Sequence, residues 1–411
     1  MTLNWLQVPG HLDWLRGEQR RLVSLHHREA LRPDQGVGFA PIGLDGHGDP
    51  DGNRELYLHA RMVHCFAIEH MLGLPGADQV AARGIEALLR FFLDPSQGGF
   101  RSQLAPDGRV LDETKPAYGN AFALLAGSSA LIAGLPLASE LFDAANSALD
   151  DHFWQAGEGA SVDSMTADWQ IAEPGYRGQN ANMHLTEAYL AAFDATGDPV
   201  PLGRARSIAT KLIWRNARSA GWRVVEHFDA DWRPLPDYNA DNPGDQFRPY
   251  GATPGHALEW ARLLLQLAAA DSTLDWALEA AEALFNTAVS DGWEAKRPGL
   301  PYTTDFTGKV VNESRMHWAV AEAVGAAVYL ARTTEKAQYE DWYREFWSYI
   351  RNFVMDLDGG SWWHELDAEG RPSFQTWAAK PDLYHAYQAM LFPRCDIRLG
   401  LALAASRGLV V

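Results

Sequence analysis

A ring of six helical hairpins, the (α/α)6 barrel of the all-α class, is the fold that three features of this sequence predict. Helical periodicity dominates the chain. A polar residue at the head of an apolar helix recurs about once every sixth of its length. The loops between helices carry a composition of their own, rich in Trp, Asp, Gly and Pro.

The helices come first. Segments such as "ELYLHARMVHCFAIEHML", "ADQVAARGIEALLRFFL", "NMHLTEAYLAAFDATG", "HALEWARLLLQLAAA" and "RMHWAVAEAVGAAVYLART" space apolar residues three and four apart, the signature of a helix with a buried stripe. They stop at Gly, Pro or Asp-Gly, which end helices by freeing or fixing φ. The recurring residues are His64, Asn120, His184, His256, His317 and His385, 56 to 72 residues apart. Each is expected to open an inner helix, with a more amphipathic helix behind it. Such an arrangement points six helix N-termini at one mouth. The loops "LDPSQGGFRSQLAPDGRVL" and "GGSWWHELDAEGRPS" read as short β-hairpins at that mouth, turning at Pro106-Asp107-Gly108 and Glu369-Gly370. No low-complexity linker divides the chain, so residues 1–411 are expected to form a single catalytic domain.

Composition narrows the function. With 47% hydrophobic and 21% charged residues the chain is that of a soluble globular protein. A net charge of −18 argues against nucleic acid and anionic membranes, which need basic patches to displace counterions. No basic-then-apolar leader opens the chain and no run of about 20 apolar residues offers a membrane span. A cytoplasmic protein is the expectation. Two cysteines, Cys65 and Cys395, cannot build a disulfide framework or a thiolate zinc site, and two reduced thiols are expected. Sixteen Trp suit a carbohydrate site, where indole faces stack on sugar C–H groups, and equally suit a large helical core.

The polar residues pair three apart: His184 with Glu187, His256 with Glu259, His385 with Gln388, and Arg61 with His64. That spacing places both partners on one helix face, and its recurrence in register suggests a shared polar cavity. Imidazoles titrate near neutrality and suit general acid–base work. An arginine stays charged and can steady a developing oxyanion. No zinc-binding HExxH, nucleophile elbow or phosphate-binding glycine loop is present, so neither a metal nor a cofactor is expected. A hydrolase would need a carboxylate pair from Glu187, Glu259, Glu322 and Asp382, leaving the histidines without a purpose. A catalytically inert sugar-binding protein stays open.

Two segments, "RPYGATPGHALEWARLLLQL" and "KPDLYHAYQAMLFPR", resemble the inner-helix signatures of the N-acylglucosamine 2-epimerase superfamily, and within it the aldose–ketose isomerase branch. "LYLHARMVHCFAIEH", "NANMHLTEAYLAAF" and "ESRMHWAVAEAVGAA" match in order and spacing. The resemblance implies the barrel and a metal-independent proton transfer between C2 and C1 of an open-chain monosaccharide. D-mannose and D-fructose are the implied pair, with D-lyxose and D-xylulose as further substrates. It implies His385 as the base and His256 as its acid/base partner. Substrate contacts would come from Arg61, His184, Glu259, Asn120, Trp318 and Glu322, and Trp363 would stack on the sugar near the mouth. Asn120 departs from the pattern, standing where a histidine is expected. One base on one face of a cis-enediol gives a ketose and two bases on opposite faces give a C2 epimer. Two histidines serve either outcome, so a sugar 2-epimerase and a sulfoquinovose isomerase remain alternatives. The sequence also leaves a homo-oligomer open.

Overall fold

The first division the structure makes is between helices buried on every side and helices buried on one. The computed structural model describes residues 4–32, 36–294 and 296–411. In chain order the first helices are α1 (Pro9–Ala30), α2 (Leu56–Met71), α3 (Ala77–Ala87) and α4 (Ala117–Ile132). Then come α5 (Ala138–Ala148), α6 (Gln179–Thr196), α7 (Pro199–Ala209) and α8 (Pro254–Ala270). The rest are α9 (Ala277–Gly292), α10 (His317–Thr334), α11 (Ala337–Tyr349), α12 (Tyr384–Leu391) and α13 (Leu401–Ser406). The even-numbered helices are Ala- and Leu-rich and almost wholly buried, as in α4 and α8. The odd-numbered α3, α5 and α11 bury one face only. A helix apolar all round belongs inside and a one-sided helix outside.

Packing follows that rule. α2, α4, α6, α8, α10 and α12 contact one another in that order, and α12 returns to α2, closing an inner ring. Outside it α3 lies on α2, α5 on α4, α7 on α6, α9 on α8, α11 on α10, and α1 on α12. The six-fold period therefore marks a closed double ring, as the all-α expectation held. α13 packs across α2, α4 and α6 and shuts one end. Small residues let the rings approach closely: a side chain at Gly127 in α4 would meet the backbone of Phe142 in α5 at 2.8 Å.

Short β-structure laces the open end. The residues entering each inner helix pair with the hairpin one unit further on. Arg54–Glu55 pair with Gln103–Leu104, Lys115–Pro116 with Ser164–Met165, and Tyr176–Gly178 with His227–Asp229. Arg315–Met316 pair with Glu365–Leu366, and Ala252 bridges Thr304. The sixth position is filled by Lys380, whose N–H donates to Ile42 O at 3.0 Å. Gly251 makes the fourth stitch feasible. Its φ of +97° is left-handed, and a Cβ there would stand 2.2 Å from Thr304 O, so only glycine fits.

Both cysteines are free and buried. Among the described residues no helix is long and apolar enough to cross a membrane.

Candidate active site

The N-terminal ends of the inner helices surround a cavity. His256, Glu259, His184, Arg61, Trp318 and His385 all line it, as do His317, His364 and Asp382. Six of the nine predicted site residues are thus brought together.

His385, second residue of α12, holds Nδ1 at 2.9 Å from Glu322 Oε1. Glu322 also takes Arg262 Nε at 2.9 Å. An ionised carboxylate can only accept, so Nδ1 carries the hydrogen and Nε2 keeps its lone pair. Burial pushes His385 well below the usual imidazole range, with Arg61 adding to it and Asp382 opposing. The ring is therefore neutral at neutral pH.

His256 repeats the device. Its Nδ1 lies 3.0 Å from both oxygens of Glu226, a residue of the hairpin before α8. Burial alone would raise the Glu226 carboxyl, but His256 beside it brings it below the ordinary value. Gln179 donates to Glu226 at 2.8 Å and is itself held by Trp260 Nε1 at 2.8 Å. The indole of Trp318 stacks on His256 with centroids 5.0 Å apart and also borders His385 at 6.2 Å. Gly255 allows that stack, since a Cβ there would sit 2.4 Å from the Trp318 ring.

Arg61 places Nη1 2.6 Å from Asp382 and Nη2 2.8 Å from the Tyr118 hydroxyl. Tyr57, Phe122 and Tyr384 face its guanidinium at 4.2 to 5.1 Å. Burial lowers its affinity for the proton, and Asp382 more than restores it, so the charge is fixed. Among the described residues it is the one arginine or lysine lining the cavity.

Below the histidines lies a carboxylate cluster on the barrel axis. Arg262 meets Glu322 at 2.9 Å, Glu187 at 3.3 Å and Glu259 at 3.6 Å, all buried. Glu187 also accepts from the Tyr384 hydroxyl. Ligand atoms of His184, Glu187 and Glu259 fall within 4.8 Å of one another, close enough for a cation by distance alone. The Arg262 guanidinium already supplies positive charge beside two of them.

Three predicted site residues stand elsewhere. Asn120 is wholly buried and spends its amide on backbone: Oδ1 accepts from Phe100 N at 3.0 Å, and Nδ2 donates to Phe100 O and Pro116 O. Asn182 makes the same three bonds to Ser161 and Gly178. The two asparagines are therefore equivalents, and the counterpart of His184 in α4 is Phe122, two residues beyond Asn120. Glu322 holds His385 from behind and does not line the cavity. Trp363 covers Lys380 Nζ at 4.5 Å and packs near Phe374, while Trp362 is buried against Trp347. Trp377 and Trp318 are the indoles at the cavity. His64 lies in the middle of α2, bonded to Ser129 Oγ at 2.7 Å and turned toward the closed end. Glu259, on the same helix face as His256, does not bond to its imidazole. Glu226 does, together with Gln179, and neither shares a helix with it. Tyr118, Phe247 and Tyr302 also line the cavity and carry no spacing signal.

Buried neutral histidines set an acid limit on stability. His59 donates from Nδ1 to Glu55 O at 2.9 Å and accepts Phe39 N–H on Nε2 at 2.8 Å, which leaves no lone pair for a proton. His59, His64 and His317 are each pushed down to about 4, mainly by burial. The unfolded chain binds those protons near 6.5, so stability is complete above that pH and falls as pH drops toward 4. At pH 5 each ring costs about 2 kcal/mol. The thermal midpoint should fall steadily between pH 7 and pH 5, and a flat profile would contradict the neutral assignment.

A family model for N-acylglucosamine 2-epimerase matches residues 38–389. The chain belongs to the N-acylglucosamine 2-epimerase family. Within that family it is 43% identical to a D-mannose isomerase of Pseudomonas cannabina pv. alisalensis, over 98% of this chain and 97% of that one. It is also 43% identical to a D-mannose isomerase of Thermobifida fusca, over 98% of each. A crystal structure of a D-mannose isomerase superposes with a TM-score of 0.85 at 32% identity, covering 92% of this chain and 96% of that one.

Proposed function

We propose that the protein is an aldose–ketose isomerase that interconverts D-mannose and D-fructose without a metal. The observation that carries this reading is the pair of histidines, each with Nδ1 held by its own buried carboxylate and each lining the cavity that Arg61 enters. The full-length likeness to D-mannose isomerases supports the choice of sugar. So does the wall of the cavity, where among the described residues Arg61 is the one arginine or lysine, so that its role at the reacting oxygen leaves no second cation for a phosphate or sulfonate.

In this reading His385 removes the C2 proton of the open-chain aldose on Nε2. Arg61 steadies the oxygen that gains charge, which is where a fixed cation lowers the barrier most. His256 moves the proton between the sugar oxygens, and His385 returns its own proton to C1. A single base on one face of the cis-enediolate gives the ketose. His184 and Glu259 hold hydroxyls, and Trp318 bounds the apolar face of the sugar.

The test is proton NMR of the protein with D-mannose in heavy water containing a chelator. Fructose carrying deuterium at C1 is expected. Glucose as the product would place the protein with the 2-epimerases, and no exchange at C1 or C2 would sink the reading.

A further inference from the structure

The charges on the barrel axis do not balance as drawn. Glu187, Glu259 and Glu322 share one guanidinium, Arg262, and all four side chains are at least nine-tenths buried. Two carboxylates are well served: Glu322 by Arg262 and His385, Glu187 by Arg262 and Tyr384. Glu259 is not. Its nearest cationic atom is 3.6 Å away, His184 Nδ1 is at 3.7 Å, and Glu259 Oε1 has no hydrogen-bond partner. His184 Nδ1 is likewise unpartnered. An ionised carboxylate buried without donors is far costlier than a neutral acid.

We propose that Glu259 is a neutral carboxylic acid at neutral pH and presents its O–H to an oxygen of the bound sugar. The protonation rests on the geometry alone, and only the identity of the acceptor rests on the isomerase reading. Every neighbour bears on it. His184 and Glu187 face it from α6, Glu322 from α10, Tyr384 and His385 from α12, Arg61 from α2 and Tyr118 from α4. Arg262 and His256 lie on its own helix. Of the charged residues on α7 and α9, the outer helices packed on α8, Arg204 pairs with Asp150, Arg206 with Asp271, Asp291 with Arg223 and Glu282 with Lys336, and Glu279 is exposed to solvent. Burial is the largest cause holding Glu259 above the ordinary carboxyl range, and repulsion from Glu322 and Glu187 outweighs Arg262. A cation among His184, Glu187 and Glu259 would relieve the same imbalance, but Arg262 stands where it would be repelled.

A neutral acid at this point serves the chemistry. It adds a donor to the cavity without adding negative charge beside a forming enediolate, which an anion would oppose.

Infrared spectroscopy of protein labelled with 13C-glutamate decides the matter without reference to turnover. A label-sensitive, deuterium-sensitive carboxylic C=O band at pH 7, lost in Glu259→Gln, is expected. Its absence from the wild type overturns the proposal even if the variant fails to fold. Elemental analysis showing one tightly held divalent cation per chain overturns it as well. In kinetics, Glu259→Gln replaces one neutral donor to the sugar by another and should lower kcat/KM by about tenfold without abolishing it. It should also lose the alkaline limb expected of the wild type as Glu259 ionises. A variant that keeps the wild-type alkaline limb unchanged, or that falls about a thousandfold at pH 7, would mean the anion is the working form.

Discussion

His385→Asn should abolish conversion of mannose to fructose and with it the exchange of the C2 proton with solvent, a loss on the order of 10³-fold or more. Asparagine keeps a polar group of similar size and removes only the base. Glu322→Gln should come close to that loss, on the order of 10²- to 10³-fold, with the histidine still present. A glutamine amide can donate to Nδ1, which puts the ring hydrogen on Nε2 and turns the base away from its task, as in serine hydrolases whose orienting carboxylate is amidated. His256→Asn is the informative contrast. With His385 as the base, this variant slows turnover yet retains slow exchange at C1 of fructose. Exchange that survives in His385→Asn and vanishes in His256→Asn would reverse the two roles.

The second large effect is structural. Arg262→Met leaves three buried glutamates with no guanidinium among them, and removing one partner of a buried ion cluster typically costs 3–5 kcal/mol. The shape of the site favours a straight apolar stem, since the Arg262 chain runs past Gly325, where an added Cβ would be 2.9 Å from its Cδ. The pH dependence of this variant should run against that of the wild type. Orphaned carboxylates have raised affinities for protons, so the deficit is largest at pH 8 and shrinks as pH falls and they are neutralised. Urea denaturation of both proteins at pH 8 and pH 6 gives the comparison. Equal stability at pH 8 would show that Arg262 does not hold the axis together.

The double ring was legible because burial on all sides and burial on one side write different helical patterns, and a six-fold alternation of the two admits few arrangements. His256 and His385 were legible because Gly or Pro marks the start of their helices and the first turns lie at the mouth, whereas Arg61 and Trp318, whose helices open without such a mark, were legible through the family resemblance. Orientation within the cavity was not. A spacing of three puts His256 and Glu259 on one face but about 4.5 Å apart along the helix axis, so in a barrel one reaches the mouth and the other the axis. The partners that fix each imidazole are 63 and 30 residues away, and nothing local announces them. Asn120 misled for a related reason. Its equivalence is to Asn182, both clamping a hairpin, and a two-residue difference in register on a helix turns a side chain from the cavity to the wall.

The lacing of the mouth bears on how the molecule is made. Every entry strand waits for a hairpin that lies later in the sequence, except at Lys380, whose partner Ile42 lies far earlier. A chain emerging from the ribosome can close five stitches in order but must hold the first hairpin open until the last inner helix arrives. His385 sits just past that final stitch. The ring thus closes, and His385 joins the cavity, only with the last segment of the chain, so a product that stops short of it carries most of the helices and lacks the proposed base.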